Sequence, residues 1–171
     1  MKKMKRLVAI LLAGVLALAM LTACGEESGG SKSFAQQVEE AAIRSYNASV
    51  SENSQLSNDS ALRNRAMAML NKIDENGMIG SDDALVFEAA ADSGVGTVTV
   101  ILAGNLGVDP VDNKIPAIEI TAAELEKMNN AKGTETDTNR YGEVKAIGVA
   151  AKTINGKTYI AYGMTYSDSA K

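Results

Sequence analysis

Lys2, Lys3, Lys5 and Arg6 open the chain, and from Leu7 to Ala23 every residue but Thr22 is apolar. This is the order of an export signal, a charged stretch followed by a greasy one. As a helix the 17-residue run reaches roughly 25 Å, short of a hydrocarbon core about 30 Å thick, so it is a poor membrane span. It ends on Cys24, the one cysteine among 171 residues. Two constraints on the fold follow. The most hydrophobic segment is spent on export and is lost to the core, and no disulfide can staple what remains.

Leu21-Thr22-Ala23-Cys24 resembles the lipobox of bacterial lipoprotein precursors: a branched apolar residue, two small residues, then Cys. The resemblance implies that the Cys24 thiol receives a diacylglyceryl group, that residues 1–23 are removed, and that fatty chains such as palmitate hold the mature protein on a bilayer. Residues 24–33, "CGEESGGSKS", then form a lipidated flexible tether, since Gly and Ser give a loose coil and nothing there can pack. Each buried CH2 adds about 0.8 kcal/mol, and two or more chains hold far better than one. The implied location is the outer face of the bacterial cytoplasmic membrane. Residue 25 is Gly, not the Asp that keeps some Gram-negative lipoproteins on the inner membrane, so the chain carries no such retention signal, and in a Gram-negative cell the outer membrane is the alternative location.

Removing the leader takes Lys+Arg from 17 to 13 against 21 Asp+Glu, leaving a formal charge of −8 on 148 residues. That length suits one domain with an ordinary core, residues 34–171. The acidity argues against nucleic acid, anionic wall polymers and lipid headgroups as partners. There is no His, which removes a Ser-His-Asp triad, a Cys-His pair and His-ligated zinc. With Cys24 committed to lipid, thiol chemistry and thiolate metal sites go too. Two Phe, five Tyr and no Trp make a poor aromatic platform for sugars or bases.

Phe34, Val38, Ala41, Ala42 and Tyr46 recur on one helical face and predict a helix over 34–48, opened by Ser33 and Gln36 as a capping box. A polar connection follows. Asn58 or Asp59 then caps a second helix, striped by Leu62, Ala66, Met69, Leu70 and Ile73 as far as residue 73. "VGTVTVILAG", 95–104, is rich in β-branched residues and reads as a buried strand. "KIPAIEIT" offers a short strand that Pro116 pushes to an edge. Thr121 and Glu124 make a second capping box, opening a helix whose inward residues are Ala122, Leu125 and Met128. A long polar loop, "NNAKGTETDTNR", precedes the strongest hairpin, two strands joined at Ile154-Asn155-Gly156-Lys157, where Asn-Gly suits a type I′ turn. Helices first and an antiparallel sheet later predict an α+β domain: two or three N-terminal helices on a small sheet closed by a C-terminal hairpin.

"KIDENGMIGSDD", 72–83, resembles an EF-hand or dockerin calcium loop, with a helix-like "ALVFEAAA" behind it. Asp74, Asn76, Gly77, Ile79 and Asp83 fall at loop positions 3, 5, 6, 8 and 12. Lys72, however, stands at position 1, where a carboxylate ligand belongs, and Asp83 is shorter than the bidentate Glu of position 12. No metal site is therefore expected. Asn47, Leu56-x-x-Asp59-x-x-Leu62 and Ala66, together with the closing residues 140–166 and their Gly148 and Ala150, resemble the cysteine-rich secretory (CAP) superfamily. That resemblance implies an α-β-α sandwich. The family's cavity uses two His and two acidic residues, so it cannot be carried over to a chain without His, and Glu88 cannot be equated with one of those acids.

Asp82, Asp83, Glu88, Asp109, Asp112, Glu119 and Glu124 are the remaining candidate acids, and paired carboxylates could hydrolyse glycosides. Adjacent acids at a helix start more commonly cap it, and Glu119 alternates with Ile118 and Ile120 toward solvent. No Gly-x-Ser-x-Gly elbow, Ser-x-x-Lys set or phosphate-binding Gly pattern occurs. The expectation is a non-enzymatic binding or interaction module held at the membrane by lipid on Cys24, with a protein or peptide partner and no cofactor. A structural envelope-assembly lipoprotein and a carboxylate-based hydrolase of wall glycans are the alternatives.

Overall fold

A computed structural model describes residues 32–92, 95–131 and 144–167. The expected export signal, Cys24, the expected tether as far as residue 31 and the polar stretch 132–143 lie outside the described residues.

The first helix, α1, runs Phe34–Ala48, and the second, α2, runs Ser60–Leu70. Asp59 starts α2 as its N-cap, its carboxylate accepting the Leu62 N–H at 2.9 Å. The whole expected stripe of Leu62, Ala66, Met69, Leu70 and Ile73 is buried. Five strands make the main antiparallel sheet: β2 (Leu85–Asp92), β3 (Val95–Leu102), β5 (Glu119–Ile120), β6 (Val144–Ile154) and β7 (Lys157–Ser167). Strands β1 (Met78–Gly80) and β4 (Lys114–Pro116) form a separate two-stranded ribbon. The third helix, α3 (Ala122–Asn129), opens with the expected capping box, Thr121 N–H donating to Glu124 Oε2 at 2.7 Å. The domain is of the α+β class.

Strand β7 is the spine. It pairs with β6 along its length on one side, and with β5 and then β3 on the other. The β6–β7 turn has Asn155 at φ 49° and Gly156 at φ 80°, the two positive values that a type I′ hairpin requires and that Asn-Gly supplies at little steric cost.

Ala122, expected to face inward on α3, is exposed, and β3, expected to be buried, is half-buried over 96–102 except at Ile101; two further stretches differ in type. "ALVFEAAA" is not a helix: Leu85–Asp92 is a strand paired in full with β3. Its Ala and Glu favour helix, but β3 next to it exposes a ladder of backbone groups, and pairing them outweighs a weak local preference. "KIPAIEIT" is two strands rather than one, because Pro116 ends β4 and Ile118 crosses over, its N–H donating to Ala103 at 2.9 Å, before β5 joins the main sheet.

Helix α2 lies against the sheet face that carries Gly148, Gly163, Ala150, Tyr159 and Ala161. The approach is so close that a Cβ at Gly148 would strike Leu62 Cβ and the Arg63 nitrogen, and would stand 2.6 Å from the Leu62 carbonyl carbon. On the opposite face Ile147, Val149 and Ile160 are fully buried. Helix α1 buries Val38, Ala41 and Ala42, and α3 buries Leu125. A hydrogen bond of 3.0 Å from Arg44 to Asn129 ties those two helices together.

The outer edge of β6 is closed by side chains. Asn58 donates to Val149 O at 3.0 Å and accepts the Val149 N–H at 2.8 Å, while the Asp59 N–H reaches Ile147 O at 2.7 Å. Glu39, buried on α1, accepts the Ala151 N–H at 2.9 Å and holds Arg63 of α2 through two bonds of 2.8 and 2.9 Å. One carboxylate thus joins α1, α2 and the sheet edge.

Gly148→Ala should destabilise the domain by about 3 kcal/mol, the scale of overpacking a tight contact, and lower its melting temperature by roughly 10 °C. Thermal unfolding followed by circular dichroism checks this; an unchanged midpoint would contradict the close α2–β6 approach.

Candidate functional site

The residues that resemble a calcium loop are spoken for within the chain. Asp74 Oδ1 accepts the N–H groups of Asn76 and Met78 at 2.9 and 3.0 Å, and its Oδ2 accepts Lys114 Nζ at 2.7 Å. The Lys114 ammonium first, then the Met78 N–H, hold the Asp74 carboxyl below the usual range. Asp83 Oδ1 is bound by Lys72 Nζ at 2.6 Å. Lys72, the residue that breaks the loop pattern, therefore sits on the very carboxylate expected at position 12. Gly77, φ +78°, turns the chain beneath the Tyr159 ring, which would collide with any Cβ there. The loop is a tight corner locked by two lysines.

The other candidate acids also have separate surroundings. Glu88 pairs with Arg65 of α2, Glu119 with Lys157 at 2.9 Å, and Glu124 with its own helix start. Asp82 is exposed in the short turn before β2, and Asp109 and Asp112 are exposed between β3 and β4. Four of the seven thus have a bonding partner of their own, and that partner is a lysine, an arginine or a helix cap. Asn47, Asp59 and Leu62 have packing roles as well: Asn47 clamps the Leu56 backbone with two bonds of 2.9 Å, Asp59 caps α2, and Leu62 meets Gly148.

What composition could not reveal is where apolar surface stays uncovered. Among the described residues the large hydrophobic side chains left exposed are Leu85, Phe87, Leu106, Val108 and Val111, with Phe87 65% and Val111 68% accessible. All come from two segments, the start of β2 and the β3–β4 loop. The segments are joined at their base, where Ala84 O accepts the N–H groups of Ala103 and Gly104 at 2.9 and 3.2 Å. The loop is shaped by its own bonds: Val111 and Lys114 exchange two backbone hydrogen bonds of 2.9 and 3.0 Å across Asp112 and Asn113, both at positive φ. Asx residues tolerate that conformation better than most, and here they leave Val111 outermost.

The two faces of the β2–β3–β7 half of the sheet differ in character. In register with α2 stand Glu88, Thr97, Thr99 and Thr165, with the Thr99 and Thr165 hydroxyls 3.1 Å apart. Alternation puts Phe87, Val98, Val100, Leu102, Tyr162 and Met164 on the reverse, and the last five are half-buried. Phe87 aligns with Val100, which aligns with Met164. Monomeric proteins seldom expose contiguous apolar patches without a use for them.

No family model, no curated protein and no solved structure matches the chain.

Two outcomes follow. Calcium titrated calorimetrically into the full-length protein should release no heat beyond dilution at millimolar concentrations; a saturable isotherm would show that the lysines yield to the metal. Burial pushes the Tyr162 hydroxyl up from 10.0 to about 12. Because the folded value lies above the unfolded one, neutral Tyr162 stabilises the fold fully below about pH 10, and that contribution is lost as pH rises toward 12. Denaturant unfolding across this range should show the decline, and Tyr162→Phe should lessen it.

Proposed function

We propose that this protein is an extracytoplasmic lipoprotein, tethered to a bacterial membrane through Cys24, whose domain is a non-enzymatic interaction module for a protein partner. The observation that carries the reading is the gathering of every exposed large apolar side chain, among the described residues, into β2 and the β3–β4 loop. On an acidic chain such a patch costs solubility unless something covers it. Its chemistry suits polypeptide: apolar side chains beside a strand edge. No described helix is long and apolar enough to cross a membrane, and the lipobox supplies another means of attachment.

Labelled fatty acid should enter the wild-type protein and not Cys24→Ala. Label in the variant would end the lipoprotein reading. Independently, a photo-crosslinking residue at Phe87 or Val111 in intact cells should give protein adducts that the same residue at Glu126, exposed on α3, does not. Equal yields from all three positions, or none from 87 and 111, would end the interaction reading.

A further inference from the structure

Strand β3 carries the chain toward one end of the main sheet. Its residues Thr97 to Leu102 pair with Ser167 back to Tyr162 of β7, in descending order toward the Asn155-Gly156 turn. The β3–β4 loop therefore leaves the sheet at the turn end, with Leu106, Val108 and Val111 exposed on it. Strand β2 starts at the same end, Leu85 standing in register with Leu102, and its outer edge is paired with nothing among the described residues.

The chain also enters the domain at this end. Glu39, in the second turn of α1, accepts the Ala151 N–H. Asn47, in the last turn, clamps Leu56, and from there the backbone advances parallel to β6, Asn58 bridging Ile147. Helix α1 thus runs antiparallel to β6, and its first turn points to the Asn155-Gly156 end of the sheet.

Two lengths give this shared end a meaning. Residues 24–33 span at most about 35 Å even when drawn straight. Strands β6 and β7, of 11 residues each, are about 36 Å long. A domain standing on its opposite end would raise the start of α1 by that whole length above the lipid on Cys24, and the tether would have to be fully taut. The turn end, with the apolar loop, is therefore the end turned to the bilayer. Charge then separates lipid from protein as what the loop meets there. Asp109 and Asp112 are exposed beside Val111, residues 105–113 contain no Lys or Arg, and Lys114 is bound to Asp74. Sinking Val111 among acyl chains would draw two carboxylates out of water without a counter-charge. An apolar protein surface that carries lysine or arginine meets the same loop without that cost.

We propose that the partner is a membrane-resident protein, whose apolar and basic extracytoplasmic surface close to the bilayer takes the β3–β4 loop and the start of β2. The inference rests on the lipoprotein and interaction-module readings and names the class of partner.

The test uses the full-length lipidated protein. With Cys24 acylated, Val111→Cys and Lys145→Cys each supply a single free thiol for a dye; Lys145 is exposed near the far end of β6. In phosphatidylcholine vesicles holding an acceptor-labelled lipid, energy transfer from position 111 should be several-fold more efficient than from 145. Forty Gly and Ser residues inserted after Gly30 should remove most of that difference, because the reach of a coil grows as the square root of its length. Equal transfer from the two positions without the insertion, or stronger transfer from 145, would overturn the proposal and leave lipid attachment intact. In cells, a photo-crosslinking residue at 111 should join proteins with transmembrane segments, at a yield that the same insertion lowers by about half or more. Adducts with soluble proteins only, adducts with lipid in place of protein, or a yield indifferent to the insertion would overturn the membrane-resident partner alone. The absence of any adduct at 87 and 111, with unequal transfer retained, would overturn the interaction reading beneath it; a protein bare of lipid would overturn the lipoprotein reading first.

Discussion

The closure of the β6 edge holds this domain together. A sheet edge leaves backbone N–H and C=O groups without partners, and burying them unpaired beneath helices costs more than most side-chain contacts return. Here the cost is avoided by Asn58, whose amide mimics a neighbouring strand, and by Glu39, whose carboxylate accepts a strand N–H while gripping Arg63. Because Glu39 belongs to α1 and Arg63 to α2, the same atoms set where both helices lie. The glycine at 148 then lets α2 descend onto the sheet, and the apolar stripe of α2 is buried as a consequence. Satisfying the buried carboxylate twice over, with a guanidinium and a backbone N–H, is what makes its burial tolerable.

That closure also determines what is left open on the other side of the sheet. Helices α1 and α2 are committed to β6 and its neighbours, and nothing equivalent is left among the described residues for β2. The exposed Phe87, the open ladder beside it and the apolar loop reaching to Val111 are thus consequences of where the helices went. A domain without disulfides, with 4% aromatic residues, has little apolar surface to spare. Leaving this much of it in water is intelligible if another polypeptide covers it.

Much of the fold was legible. Both long helices, the Thr121–Glu124 capping box, and the Asn155-Gly156 hairpin are local matters, decided by spacing and by residues that make their own turn or cap. Strand β2 was not legible, because Ala-rich sequence favours helix and only the presence of β3 turns it into a strand. The Lys72 that spoils the calcium pattern was visible, but not that it lies on Asp83, nor that Lys114, 40 residues from Asp74, completes the lock. Glu39 gave no signal: it is one of two adjacent acids on its helix, and its partners stand 24 and 112 residues away.

By itself the sequence determined the absence of histidine and of disulfide chemistry, the acidic balance, and the elements whose hydrogen bonds close within a few residues, and it supplied the lipobox resemblance on which the lipid tether at Cys24 is proposed. Only the tertiary structure decided which carboxylate is buried, which sheet edge is sealed, and which apolar side chains are left outside. Those outcomes depend on pairing between groups far apart in the chain, and no local pattern encodes the neighbour that a strand edge or a buried charge will meet.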